Sequence, residues 1–189
     1  RVTAAKAIAQ GISDEGGLFV PEAFPAADLG EMLPLDYIGR AEYVLSRFLT
    51  DFTAGEIAEC AARAYSPEKF ENGSPAKVVS LDAHGENKHV LELWHGPTCA
   101  FKDMALQILP HLLTKSLEKT ADGKTAVILV ATSGDTGKAA LEGFRDVDGV
   151  SIGVMYPDGG VSDIQFKQMA TQRGRNVQVW GVRGNFDDC

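Results

Sequence analysis

Lys102 stands in the stretch LWHGPTCAFKDMA, residues 93–105, between the ring of Phe101 and the carboxylate of Asp103, where a glycine-proline loop turns into a helix. A lysine that follows a buried strand and meets a helix amino end loses solvation and faces the positive end of the backbone dipole, and both disfavour its ammonium. A neutral amine is a nucleophile that can form a Schiff base with a carbonyl compound, and pyridoxal phosphate is the commonest carbonyl that proteins retain permanently. From this stretch alone the competing reading is a surface lysine paired with Asp103 or Glu92.

A second stretch, ATSGDTGKAA at residues 131–140, follows the most apolar strand pattern in the chain and leads into a helix. The amides from Ser133 through Gly134, Asp135 and Thr136 to Gly137, with the hydroxyls of Thr132, Ser133 and Thr136, can converge on an anion. The spacing is neither a Walker A loop nor a GxGxxG fingerprint. Any strand-to-helix turn favours these residue types for its geometry and capping, so the loop suggests an anion without naming one. Cys99 and His95 lie close upstream of Lys102, but no third ligand or orienting acid is spaced to make them a metal site or a nucleophilic pair, and no metal is expected.

The elements that position these residues follow from periodicity. Residues 1–75 read as a mainly helical unit: Thr3 caps TAAKAIAQ and Gly11 stops it, DYIGRAEYVLSRFL repeats apolar residues at helical spacing, and Thr53 with Glu56 has capping-box spacing. Between the first two helices, GISDEGGLFVPEAFP reads as an ordered extended segment tied to something else. Residues 76–189 read as part of an α/β unit. AKVVSL and KHVLELW are strands, KDMALQILPHLLTKSLEK is a helix kinked or split at Pro110, and TAVILVAT is a fully buried strand. Helices and strands then alternate to give βαβαβ, an open, mostly parallel sheet with helices on both faces. Met155, Tyr156 and Trp180 are core by default, and His84 and His89 are solvated. Both candidate loops follow strands expected in one sheet, so the amine and the anion loop would face a single crevice.

Composition narrows the classes. With 189 residues, 44% of them apolar, the chain can bury a sizeable core, and a net charge of −8 without a basic cluster argues against nucleic acid. Three widely spaced cysteines argue for a reducing compartment, the cytoplasm, and against a disulfide framework. No apolar run reaches the roughly 20 residues a membrane helix needs. The chain opens at Arg1 and closes on an acidic turn that reads as the start of another helix, so it is expected to be a portion of a longer one.

Taken together, LELWHGPTCAFKDMA and the later TSGDTG resemble the threonine synthases, which are fold-type II pyridoxal-phosphate enzymes. GISDEGGLFVPEAFP, VMYPDGGVSDIQFKQMA and GNFDDC extend the resemblance over nearly the whole chain, as the amino-terminal portion of the family. It implies that Lys102 holds the cofactor and moves protons at the substrate's Cα and Cβ, with Phe101 and Asp103 shaping the pocket. The TSGDTG loop would hold the substrate α-carboxylate, with Asp135 at the position that reaches the cofactor's 3′-oxygen; related enzymes have Asn there, and an aspartate donates only when protonated.

Ser162, Lys167 and Asn185 would hold the substrate phosphate. The implied reaction is a carbon-oxygen lyase step converting O-phospho-L-homoserine and water to L-threonine and phosphate. In this family the groups that bind the cofactor's phosphate and pyridine nitrogen come from later in the chain, so these residues alone are expected to be inactive. The alternatives are another fold-type II lyase, which would have no use for GGLFVPEAFP, and a catalytically silent threonine-synthase-like binding protein.

Overall fold

A computed structural model describes residues 1–81, 87–120 and 123–189 of the chain; His84 lies outside them. The amino-terminal part is helical: α1 (Ala4–Gln10), the short α2 (Leu29–Met32), α3 (Tyr37–Phe48) and α4 (Ala54–Ala64). Their starts are set by the expected chemistry. Thr3 accepts from the Lys6 amide, and the Thr53–Glu56 capping box is closed in both directions. Asp51, from the loop after α3, accepts from the amides of Ala4 and Ala5, placing a carboxylate at the positive end of α1.

Ala5, Phe52, Ile57, Cys60, Ala64, Tyr65 and Phe70 form one buried cluster that also takes in Ile108 and Leu112. The segment after α1 is exposed at Leu18, Val20 and Phe24 and is tied to the chain start by the Arg1–Glu22 ion pair.

β1 (Lys77–Ser80) and β2 (His89–Glu92) pair antiparallel as a hairpin of their own. This corrects the expectation that the strand before Lys102 shares a sheet with the strand before the TSGDTG loop. Both are strands, but four-residue runs specify pairing only weakly, and the hairpin satisfies their backbone locally.

The helix expected across residues 102–119 is split into α5 (Asp103–Leu106) and α6 (Leu109–Thr120), because Pro110 has no N–H to continue the earlier ladder and is tolerated in the first turn of a new helix. Ile108 and Leu112 face the helical cluster, whereas Leu113 enters a second cluster with Leu141, Phe144, Ile152, Val154 and Met169. Helix α6 therefore joins the helical part to the sheet. Ion pairs reinforce the junction, Lys119 with Glu56 at 2.8 Å and Lys115 with Glu59 at 3.3 Å.

The sheet is β3 (Ala126–Ala131), β4 (Val150–Pro157) and β5 (Val177–Val182), parallel throughout and in the order β3-β4-β5. Helices α7 (Asp135–Phe144) and α8 (Asp163–Ala170) make the two crossovers. This is the expected βαβαβ. The side chains of Ile128, Val130, Ile152, Val154, Val177 and Val179 pack into the second cluster. Val127 and Leu129 on the edge strand β3 are 69% and 67% exposed, and Trp180 on β5 is exposed as well, so β3 is half-buried among the described residues and Trp180 is not core.

Helices α5 and α7 cross closely at Gly143, where a β-carbon would collide with the Leu106 carbonyl oxygen. Alanine is favoured in a helix by about 1 kcal/mol over glycine, whereas forcing this contact apart costs roughly 1–3 kcal/mol. Gly143→Ala is therefore expected to lower the urea midpoint at unchanged slope; a raised midpoint would show that helix propensity decides the position.

Candidate active site

The turn that carries Lys102 is built by Thr98 and Asp103. The Asp103 carboxylate is 1% exposed and accepts from the Thr98 amide at 2.8 Å and the Thr98 hydroxyl at 2.7 Å, closing residues 98–103 into a clamp. Within it the Cys99 amide donates to the Gly96 carbonyl, and Cys99 adopts φ 56°, an uncommon left-handed conformation for a residue with a side chain. Lys102 is half-buried just before α5, and its Nζ lies 4.6 Å from the centroid of the exposed Phe101 ring.

Asp103 points inward and holds the turn through Thr98. Helix α5 spans only four residues and offers little macrodipole; the buried cation at this turn is Lys138, whose ammonium donates to the Thr98 carbonyl.

The loop after β3 is organised by Thr132. It is fully buried, and its Oγ1 accepts from the amides of Gly134 at 3.0 Å and Gly137 at 2.9 Å. Thr132 therefore shapes the loop from inside, leaving the exposed side chains of Ser133, Asp135 and Thr136 and the first amides of α7 toward solvent. Gly134 has φ 140°, beyond the reach of residues with side chains, and a β-carbon there would collide with Gln165.

Gln165 connects two candidate regions. Its Nε2 donates to Asp135 Oδ1 at 2.9 Å and its Oε1 accepts from the Ser162 amide at 3.1 Å. Asp135 thus has a donor facing one oxygen and acts there as an acceptor.

Ser162 caps α8 beyond the carboxyl end of β4, and Asn185 caps a 3₁₀ turn at Phe186–Asp188 beyond the carboxyl end of β5. The Asp158 amide bonds the Val182 carbonyl, joining the two strand ends. Three of the candidate loops therefore follow the carboxyl ends of neighbouring parallel strands, where α/β sheets bind ligands. Lys167 is exposed on α8, one turn or more beyond Ser162.

His95, before the Lys102 turn, has its Nε2 2.7 Å from Glu92 and its Nδ1 3.1 Å from Glu71, with 7% of its side chain exposed. The hydrogen bond to Glu92, then that to Glu71, raises its pKa above the usual 6.5. The stabilisation is complete below the unfolded value and is lost as pH rises through the raised folded value. The melting temperature lost in His95→Gln should therefore be larger near about pH 6 than near about pH 9; a pH-independent loss contradicts the paired imidazolium.

Sequence reasoning missed Lys138, Gln165, Thr98 and the Glu71–His95–Glu92 bridge. The available signal for Lys138 was a lone charge followed by Ala-Ala-Leu in a helix. The others depend on partners distant in the chain or on a turn's interior.

Residues 1–65 match the family model described as threonine synthase N terminus. Threonine synthase of Pseudomonas aeruginosa is 42% identical over 95% of this chain and 38% of its own length. Threonine synthase-like 1 of Mus musculus is 37% identical over 97% of this chain and 25% of its own. The crystal structure of pyridoxal-phosphate-bound threonine synthase from Brucella melitensis superposes on all of this chain and 40% of that one, with a TM-score of 0.89 and 35% identity. The chain thus spans about two fifths or less of the length of these relatives.

Proposed function

We propose, because this chain belongs to the threonine synthase family and matches its amino-terminal portion, that it supplies the amine and the anion-binding loops for pyridoxal-phosphate-dependent conversion of O-phospho-L-homoserine and water to L-threonine and phosphate. The observation that carries this reading is the Thr98–Asp103 clamp, which presents the half-buried amine of Lys102 on a fixed turn. The donor set fits the aldehyde end of the cofactor. Lys102 is an amine within reach of solvent, beside an aromatic face, and the loop after β3 offers uncommitted hydroxyls and first-turn amides.

When bound, pyridoxal phosphate supplies an aldehyde that an amine can capture and an electron sink that lets protons leave carbon. In this account Lys102 Nζ removes the proton at the substrate's Cα and moves protons at Cβ. The Ser133 and Thr136 hydroxyls and the adjoining amides hold the α-carboxylate, while Gln165 keeps Asp135 turned aside. Ser162, Asn185 and Lys167 supply a hydroxyl, an amide and an ammonium to the substrate's phosphate as it leaves Cγ, and water adds at Cβ.

The test is made in a protein of the relatives' full length that contains this chain, supplied with cofactor and O-phospho-L-homoserine. Phosphate and threonine are expected in equal amounts. Consumption of substrate without threonine would point to another lyase, and cofactor binding without turnover to a silent binding protein; either result overturns the proposal.

A further inference from the structure

Lys138 is 6% exposed, in the second turn of α7, and its Nζ donates to the Thr98 carbonyl. A buried ammonium is costly unless acceptors and opposite charges surround it. Here the facing groups are the Thr98 carbonyl and Cys99 from the turn, Asp103 from α5 and Asp135 from its own helix. Burial pulls its pKa below the usual 10.5, and Cys99, Asp135 and Asp103 oppose that shift.

Thr98 is held from both sides. Its amide and hydroxyl go to Asp103, the residue next to Lys102, and its carbonyl goes to Lys138. The backbone of Lys138 in turn closes on the Gly134 carbonyl, inside the candidate anion loop. One side chain therefore connects the turn that presents the amine to the helix that begins at the anion loop.

We infer that Lys138 is a positioning residue for Lys102: its ammonium fixes the residue 98–103 turn against α7 and balances the buried Asp103 carboxylate beside the reactive amine. The inference rests on the proposed function for its consequence and on the hydrogen bonds for its geometry. A passive packing role would need only the length of the side chain, whereas this role needs its charge and its donor.

The variants are Lys138→Met, close in length but uncharged, and Lys138→Arg, with Lys138→Gln as the uncharged donor if methionine prevents folding. All are made in a protein of the relatives' full length. Three quantities are read: the pyridoxal phosphate dissociation constant, the pH midpoint of the Lys102-dependent visible band, and hydrogen exchange of the peptide covering residues 97–103. Removing the cation is expected to weaken cofactor binding by about tenfold, since a buried carbonyl loses its donor and a buried carboxylate its balancing charge. The band midpoint should move upward by about half a unit or more, because the Asp103 carboxylate next to Lys102 in the chain is no longer offset by the Lys138 cation and favours a protonated nitrogen more strongly. Exchange in residues 97–103 should quicken, and arginine should restore all three readings toward the parent values.

A methionine variant with parent affinity, midpoint and exchange overturns the inference. So does one that only melts earlier while the midpoint stays put, since that is packing alone. If the parent shows no Lys102-dependent band, the proposed function fails instead. The positioning claim is then decided by exchange: faster in the uncharged variant and restored by arginine supports it, and unchanged exchange overturns it.

Discussion

Replacing Lys102 with alanine should abolish the visible absorbance of bound cofactor and reduce threonine formation by about a thousandfold or more, while leaving the melting temperature near that of the parent. The size follows from what one side chain is asked to do. In the proposed function it is both the amine that captures the aldehyde and the base that moves protons at two carbons, and positioned acid–base catalysis alone contributes about 10² to 10⁴. The small effect on stability follows because Lys102 is half-buried, and the clamp around it is made by Thr98 and Asp103 through atoms that the substitution leaves in place. Lys102→Arg separates amine chemistry from charge. It should be as inactive as alanine, and an active arginine variant would reduce Lys102 to an electrostatic role.

Replacing Asp103 with alanine should be the more destructive change to the fold. The carboxylate is 1% exposed and accepts both donors of Thr98, while the Lys138 ammonium from α7 donates to the Thr98 carbonyl. Its removal leaves a buried N–H and a buried hydroxyl without acceptors and takes one of the negative neighbours from the buried Lys138 ammonium, a combination worth about 3–5 kcal/mol. An asparagine at this position would keep a carbonyl acceptor for one donor but not the charge, so Asp103→Asn should lose less than Asp103→Ala. Urea unfolding of the two variants checks this. A loss below about 1 kcal/mol for the alanine variant would show that Asp103 is not the anchor of the turn.

Much of this architecture is legible in the sequence because it is local. Thr53 and Glu56 lie three residues apart and cap the same helix, Pro110 splits α5 from α6, and the alternation from Ala126 to Val182 gives the parallel sheet. What was not legible depends on which surfaces meet. An apolar run such as AVILVA reads as buried on both faces, yet Val127 and Leu129 project from an edge strand, and only the sheet order reveals it. Likewise Val78 and Leu91 fit any sheet, and their pairing as a separate hairpin is decided by proximity in the chain.

In the candidate site, residue types pointed to Lys102 and to the Thr132–Gly137 loop. The direction of a side chain was another matter. Asp103 and Thr132 both turn inward to satisfy backbone and side-chain donors, a direction that residue type alone does not give. Lys138 looks like a solvated helix residue, but it is buried against Thr98 from forty positions away. Such inward polar contacts are what hold an active-site loop in one conformation.

The central claim is that Lys102 Nζ is the group that captures pyridoxal phosphate. A protein of the relatives' full length containing this chain is loaded with cofactor, reduced with borohydride, digested and mapped by mass spectrometry. The account predicts a phosphopyridoxyl adduct on the peptide that contains Lys102, absent from the Lys102→Ala variant. An adduct on another lysine, or none on protein that retains the cofactor, would contradict it.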